Sequence, residues 1–137
     1  MQNHYATNIK PKLTENTIGE RIKKSRLSSG LRQSDFNIGK TTIWNLENEV
    51  TTTSSIKIIK SIASTLNVSI AYLLDLKINE SDPDYIKLKK KRLIQGLTQR
   101  DLSELSGVSQ YIISQYELNK TKNKIHLSTL YSYLETK

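Results

Sequence analysis

The feature that most restricts this chain is an internal repeat. Residues 22–36 read IKKSRLSSGLRQSDF and residues 88–102 read LKKKRLIQGLTQRDL. At an offset of 66, Lys23, Lys24, Arg26, Leu27, Gly30, Leu31, Gln33 and Asp35 recur unchanged, while Ile22 and Phe36 become leucines. Eight identities in fifteen positions mark one local structure used twice. Downstream, TTIWNLENE (41–49) lies against YIISQYELN (111–119), aligning Ile43 with Ile113 and Glu47 with Glu117. The offset there is 70, so the first copy is four residues shorter between Phe36 and Ile38, about one helical turn or 6 Å.

The spacing of apolar residues in each copy is helical. Ile18, Ile22 and Arg26 share a stripe with Leu27 at its edge, stopped by Gly30; Tyr85, Leu88, Arg92 and Leu93 repeat it, stopped by Gly96. Thr98 starts a second helix over 99–105, with Leu102 and Leu105 inward and Gly107 ending it. Ser109 caps a third over 110–118, with Ile112, Ile113 and Tyr116 apolar. In the first half, Ser54 or Ser55 caps a helix through Leu66, and Ser69 caps another through Leu74. No segment alternates with period two, so the expected fold class is all-α, a tandem repeat of small helical bundles. Asp82-Pro83 reads as an N-cap followed by proline at the first helical position, and Lys77–Ser81 as a short polar joint. The organisation predicted is a flexible basic arm (1–16), a first domain (17–77) and a second (82–137).

Composition narrows the function. Lys and Arg number 21 against 13 acidic residues, a net charge of +8 that points to a polyanion. With no cysteine, disulfides, thiolate zinc sites and Cys nucleophiles are excluded. The opening MQNHYATNIKPKLTEN has no apolar run, and no stretch approaches the roughly 20 apolar residues of a membrane span. A cytoplasmic protein without membrane association is therefore expected. His4 and His126 have no acidic or histidine company, so no metal and no cofactor is expected. Nor is an enzyme. There is no phosphate-cradling glycine loop, HExxH or nucleophile elbow, and Asp101 and Glu104 sit on a small polar helix. The abundance of Ile, Lys and Asn is that of an AT-rich bacterial or phage genome.

Two short helices joined by a tight glycine-containing turn form a helix-turn-helix, and QRDLSELS-GVS-QYIISQYE has that form. Leu102, Leu105, Val108, Ile112, Ile113 and Tyr116 would fix the angle between the helices, leaving Gln110, Tyr111, Ser114 and Gln115 outside. A helix fits the major groove of B-DNA, where Gln pairs with adenine and Ser with either base. Lys120, Lys122 and Lys124 follow at once, within reach of phosphates.

At these residues the chain resembles the Cro/repressor-type (XRE) helix-turn-helix family, whose members fold as five-helix lambda-repressor-like domains. GLTQRDLSELSGVSQYIISQYE carries the resemblance in the second copy. GLRQSDF and SSIKIIKSIASTLNVSIAYLLD carry it in the first, the latter like the family's fourth and fifth helices. Together they cover about residues 17–135. The resemblance implies that Gln33 and Gln99 touch phosphate and brace the recognition helix, that Gln110 reads bases, and that Arg26 pairs with Glu47 and Arg92 with Glu117. It extends the candidate DNA contacts to Lys40, Thr41, Thr42 and Asn45 of the first copy. The chain also departs from the family. The second helix of the first copy shrinks to about Gln33–Phe36, and Trp44 replaces Ser114 at an outward position, where a packing role between domains or with a partner is expected. The second copy ends with one helix, roughly Leu127–Leu134, where the family has two. Its apolar edge (Leu127, Leu130, Tyr131, Leu134) is expected to pack on the first copy or on a second chain.

Two functions follow as expectations. One is a double-stranded-DNA-binding transcriptional regulator, most simply a repressor, with two reading heads held by a joint too short to let them wander, about one turn or 34 Å apart. A homodimer would add symmetry. The other is a protein-interaction module, of antitoxin or anti-repressor type, whose altered first copy binds a protein partner.

Overall fold

The structure is a computed structural model that describes residues 13–135. Among them the chain forms α1 (Ile18–Ser28), a single 3-10 turn (Gln33–Asp35), α2 (Lys40–Glu47), α3 (Ile56–Leu66), α4 (Ile70–Leu74), α5 (Asp84–Ile94), α6 (Gln99–Ser106), α7 (Gln110–Glu117) and α8 (Leu127–Leu134). No strand occurs among the described residues, and the all-α class read from the sequence holds.

Short polar side chains set the helix starts. Thr17 accepts the N–H of Glu20 at 3.1 Å while the Glu20 carboxylate accepts that of Thr17 at 3.0 Å, a reciprocal cap on α1. Thr98 and Asp101 repeat the arrangement on α6, both bonds at 2.9 Å. Ser55, Ser69 and Ser109 cap α3, α4 and α7. The start of α5 departs from expectation. Pro83 is the N-cap residue and the helix begins at Asp84. The Asp82 carboxylate is drawn away instead, accepting the Asn79 N–H and the Lys90 ammonium, each at 2.9 Å.

Where the second half has α6, the first has only the 3-10 turn, as the four missing residues require. The flanking turns nevertheless coincide. Gly30 and Gly96 adopt φ of 70° and 72°, and Glu49 and Asn119 of 58° and 57°. The N–H of Leu31 bonds the Arg26 carbonyl at 3.0 Å, and that of Leu97 the Arg92 carbonyl at 3.2 Å.

Buried side chains fall into two clusters. One gathers Ile18, Ile22, Phe36, Ile43, Leu46, Ile59, Ile62, Ala63, Leu66 and Leu73; the other gathers Leu88, Leu102, Val108, Ile113, Tyr116, Leu130 and Leu134. Each fully buried Leu or Ile contributes about 1.5–3 kcal/mol. Two readings of this core are corrected. Leu130 and Leu134 do not face the first copy or another chain, because α8 folds back onto α5 and α6 and closes the second cluster. Leu105 is 53% exposed. The inward stripe of α6 runs from Leu102 through half-buried Ser103 and Ser106, so Leu105 is carried outside.

Of the arm expected over residues 1–16, residues 1–12 lie outside the described residues, and the remainder is held. The Glu15 carbonyl accepts Arg21 Nη1 at 2.6 Å, and its carboxylate meets the Tyr72 hydroxyl at 2.5 Å and Lys24 Nζ at 3.2 Å.

Candidate nucleic-acid interface

A buried ionic lock orients α7. Arg92, from α5, places Nε 2.6 Å from Glu117 Oε2 and Nη2 2.7 Å from Oε1, and its Nη1 donates to the Leu97 carbonyl at 2.7 Å. Gln99, opening α6, donates its amide to the same Glu117 Oε1 at 3.1 Å. The two charged side chains are 7% and 4% exposed. Burying such charges costs several kcal/mol unless paired and saturated with hydrogen bonds, and here three helices supply the bonds.

The first half builds the same figure. Arg26 binds Glu47 at 2.6 and 2.7 Å, donates to the Leu31 carbonyl at 3.1 Å, and Gln33 reaches Glu47 at 3.4 Å. Hydrogen bonds donated to the Glu47 carboxylate hold the Arg26 guanidinium charged, its pKa above the ordinary value despite burial.

With the lock behind it, α7 turns Ile113 and Tyr116 inward and leaves Gln110 exposed, Tyr111 71% exposed, and Ser114 and Gln115 half-buried. Lys120 and Lys122 are exposed just beyond its end, and neither makes an ion pair among the described residues. Lys124 differs: its Nζ lies 3.1 Å from Asp84 Oδ2, which neutralises the third member of the basic run. A cleft of about 260 Å³ flanks α7, walled by Tyr111, Gln115, Lys120 and His126.

On α2, Ile43 and Leu46 are buried, Lys40 and Thr41 exposed, and Thr42 and Asn45 half-buried. Trp44 is 48% exposed on the outer side, where α7 has Ser114. Thus the structure brings Gln110, Tyr111, Ser114, Gln115, Lys120 and Lys122 to one end of the second cluster, while Gln33 and Gln99 are drawn toward the locks. Leu130 and Leu134 are interior.

Two structural residues escaped the sequence reading. Arg21 is 7% exposed; Nε donates to the Leu73 carbonyl at 2.8 Å, in the last turn of α4, where the helix dipole favours a cation. Its place three residues after Ile18 and beside Ile22, on the inward stripe, was the available signal. Gly19 lets α1 touch the end of α2: a Cβ there would stand 2.1 Å from the Leu46 carbonyl oxygen. Among the described residues, no His, Asp and Glu group could hold a metal ion, and no helix is long and apolar enough to cross a membrane.

Comparison with known proteins agrees with this geometry in the second half. A family model described as helix-turn-helix matches residues 88–136, which include most of α5 and all of α6, α7 and α8. This segment is similar to a family of DNA-binding regulatory domains. No curated protein and no solved structure matches the chain.

Proposed function

We propose that the chain is a sequence-specific, double-stranded-DNA-binding transcriptional regulator with two reading heads, residues 17–77 and 82–137, acting in the cytoplasm as a repressor by occupying promoter DNA. One observation carries the reading: α7 is locked from behind by Arg92, Glu117 and Gln99 while its outer side offers Gln110, Tyr111, Ser114 and Gln115 beside Lys120 and Lys122. In this reading the two lysines meet phosphates and set register, and the Gln and Ser side chains address base edges. Lys40, Thr41, Thr42 and Asn45 on α2 serve the first head, and Gln33 and Gln99 brace the reading helices. The test is protection of fragments from around the chain's own gene, at several salt concentrations. A footprint that weakens steeply with salt yet stays at one site supports the reading; no footprint at moderate salt on any such fragment rejects it.

A second reading is supported by Trp44, half-exposed where α7 carries a serine. In it, the first head docks on a protein partner or a second copy through Trp44, and only the second head meets DNA. Lys40→Ala leaving DNA affinity unchanged, with Trp44 shielded by the partner, favours this version.

A further inference from the structure

The seam between the two heads joins unlike surfaces. On the second head the contact patch is α5, which packs on α4, together with the α5–α6 turn. A Cβ at Gly96 would stand 2.7 Å from Lys60 Cδ and 3.0 Å from Ile70 Cδ1, so the first head's α3 and α4 press directly on that glycine. Asp101 Oδ1 lies 3.9 Å from Lys57 Nζ across the same seam. The corresponding turn of the first head touches nothing of the kind. Around Gly30 no atom beyond its own chain neighbours lies within 4 Å of a Cβ position, and Asp35 is bound by Arg32 of its own turn, at 2.7 Å to the backbone N–H and 3.1 Å to the guanidinium. A two-fold axis would use each patch twice; here each is used once, so the heads are joined head-to-tail. The joint is also pinned. Lys90 Nζ donates to the Lys77 carbonyl at 2.7 Å and to Asp82 at 2.9 Å, holding the connecting segment against α5.

A reading helix enters the groove with one polarity relative to its half-site. Inverted half-sites are related by a dyad and suit heads related by a dyad. Heads joined head-to-tail do not share that axis.

We propose that one chain reads two half-sites held in one fixed relative orientation that no dyad relates, of unlike sequence because α2 and α7 differ, and that Gly96, Lys60 and Lys90 are the positioning residues that impose this orientation. The inference rests on the two-headed reading, and the experiment separates the two. Duplexes with a random core of roughly 31 base pairs, about three turns, are selected on the full chain. Selection is repeated with Lys40→Ala/Asn45→Ala and with Gln110→Ala/Gln115→Ala, to assign each half of the motif to its head. The selected duplex is then remade with one half inverted. The expected result is a loss on the order of 100-fold on inversion. That loss should shrink to within about threefold when Lys60→Ala and Lys90→Ala are combined with a Gly-Ser insertion between Ile78 and Asn79, which leaves both clusters intact. Equal or tighter binding of the inverted duplex overturns the inference. So does an unchanged orientation preference in the loosened variant. If the α2 variant alters no base preference, the two-headed reading itself fails.

Discussion

Arg92 and Glu117 meet fork to fork at 2.6 and 2.7 Å, with neither side chain more than 7% exposed. Removing one partner strands the other's charge in the interior. Arg92→Ala is therefore expected to cost about 3–5 kcal/mol. Arg100→Ala, which breaks only the exposed contact with Glu104, is expected to change stability by about 0.5 kcal/mol or less. Urea unfolding of both variants checks this, and coincident curves would reject the lock.

Gly19→Ala should be as damaging as a core truncation although it adds a single carbon. Its Cβ would meet backbone, the Leu46 carbonyl, so α1 and α2 must separate. A loss of about 3 kcal/mol is expected, the upper end for overpacking. Gly30→Ala meets no neighbouring atom and is strained only by its φ of 70°. A thermal melt that ranks Gly30→Ala as the worse of the two contradicts the close approach.

Acid should destabilise the fold through a few carboxylates. The Asn79 N–H, then Lys90, lowers the Asp82 pKa; the Thr98 N–H and hydroxyl lower that of Asp101. A value depressed on folding gives stability that is present above the unfolded value and lost as pH falls through the folded one. The melting temperature is expected to stay level from neutrality to about pH 5 and to fall below about pH 4. Asp82→Asn and Asp101→Asn together should flatten that limb. At the alkaline end, burial and then Asp84 push Tyr131 up to about 12, so its share of stability holds below about pH 10 and is lost from there to about 12. Absorbance titration of the Tyr131→Phe variant against the parent reads this directly.

Reading and gripping should separate by mutation. Lys120→Ala and Lys122→Ala are each expected to weaken binding evenly across sequences and to lower the slope of log affinity against log salt by about 1. Gln110→Ala should instead cost about 1–3 kcal/mol on the preferred sequence and relax preference at one position. A sequence-independent effect of Gln110→Ala would remove it from the reading set.

The chain holds a single tryptophan, so its fluorescence reports α2 alone. Half-exposed Trp44 is expected to be quenched by acrylamide in the free chain and shielded when operator DNA is added. Shielding by a protein partner with no response to DNA would move α2 to the second reading.

The sequence was most legible where local chemistry decides the structure. Thr98, Ser109 and Gly107 bound α6 and α7 because capping needs only neighbours a few residues away, and α8 starts and ends at Leu127 and Leu134 as its apolar spacing indicates. Legibility failed where distant groups compete. Asp82 resembles a cap until Lys90 claims its carboxylate. Leu105 resembles core until half-buried Ser103 and Ser106 show which way α6 faces. Lys124 resembles a phosphate contact until Asp84, 40 residues away, neutralises it. The seam at Gly96 left no local trace, since Gly30 has the same surroundings in sequence and open space in the fold.

The Arg–Glu–Gln lock uses none of the outward side chains of the helix it holds. Positions 110, 111, 114 and 115, like 40, 41, 44 and 45, can therefore be exchanged while the scaffold beneath stays put. On the two-headed reading, two like brackets carrying different inscriptions would let a lineage rewrite one word of its target without misspelling the other.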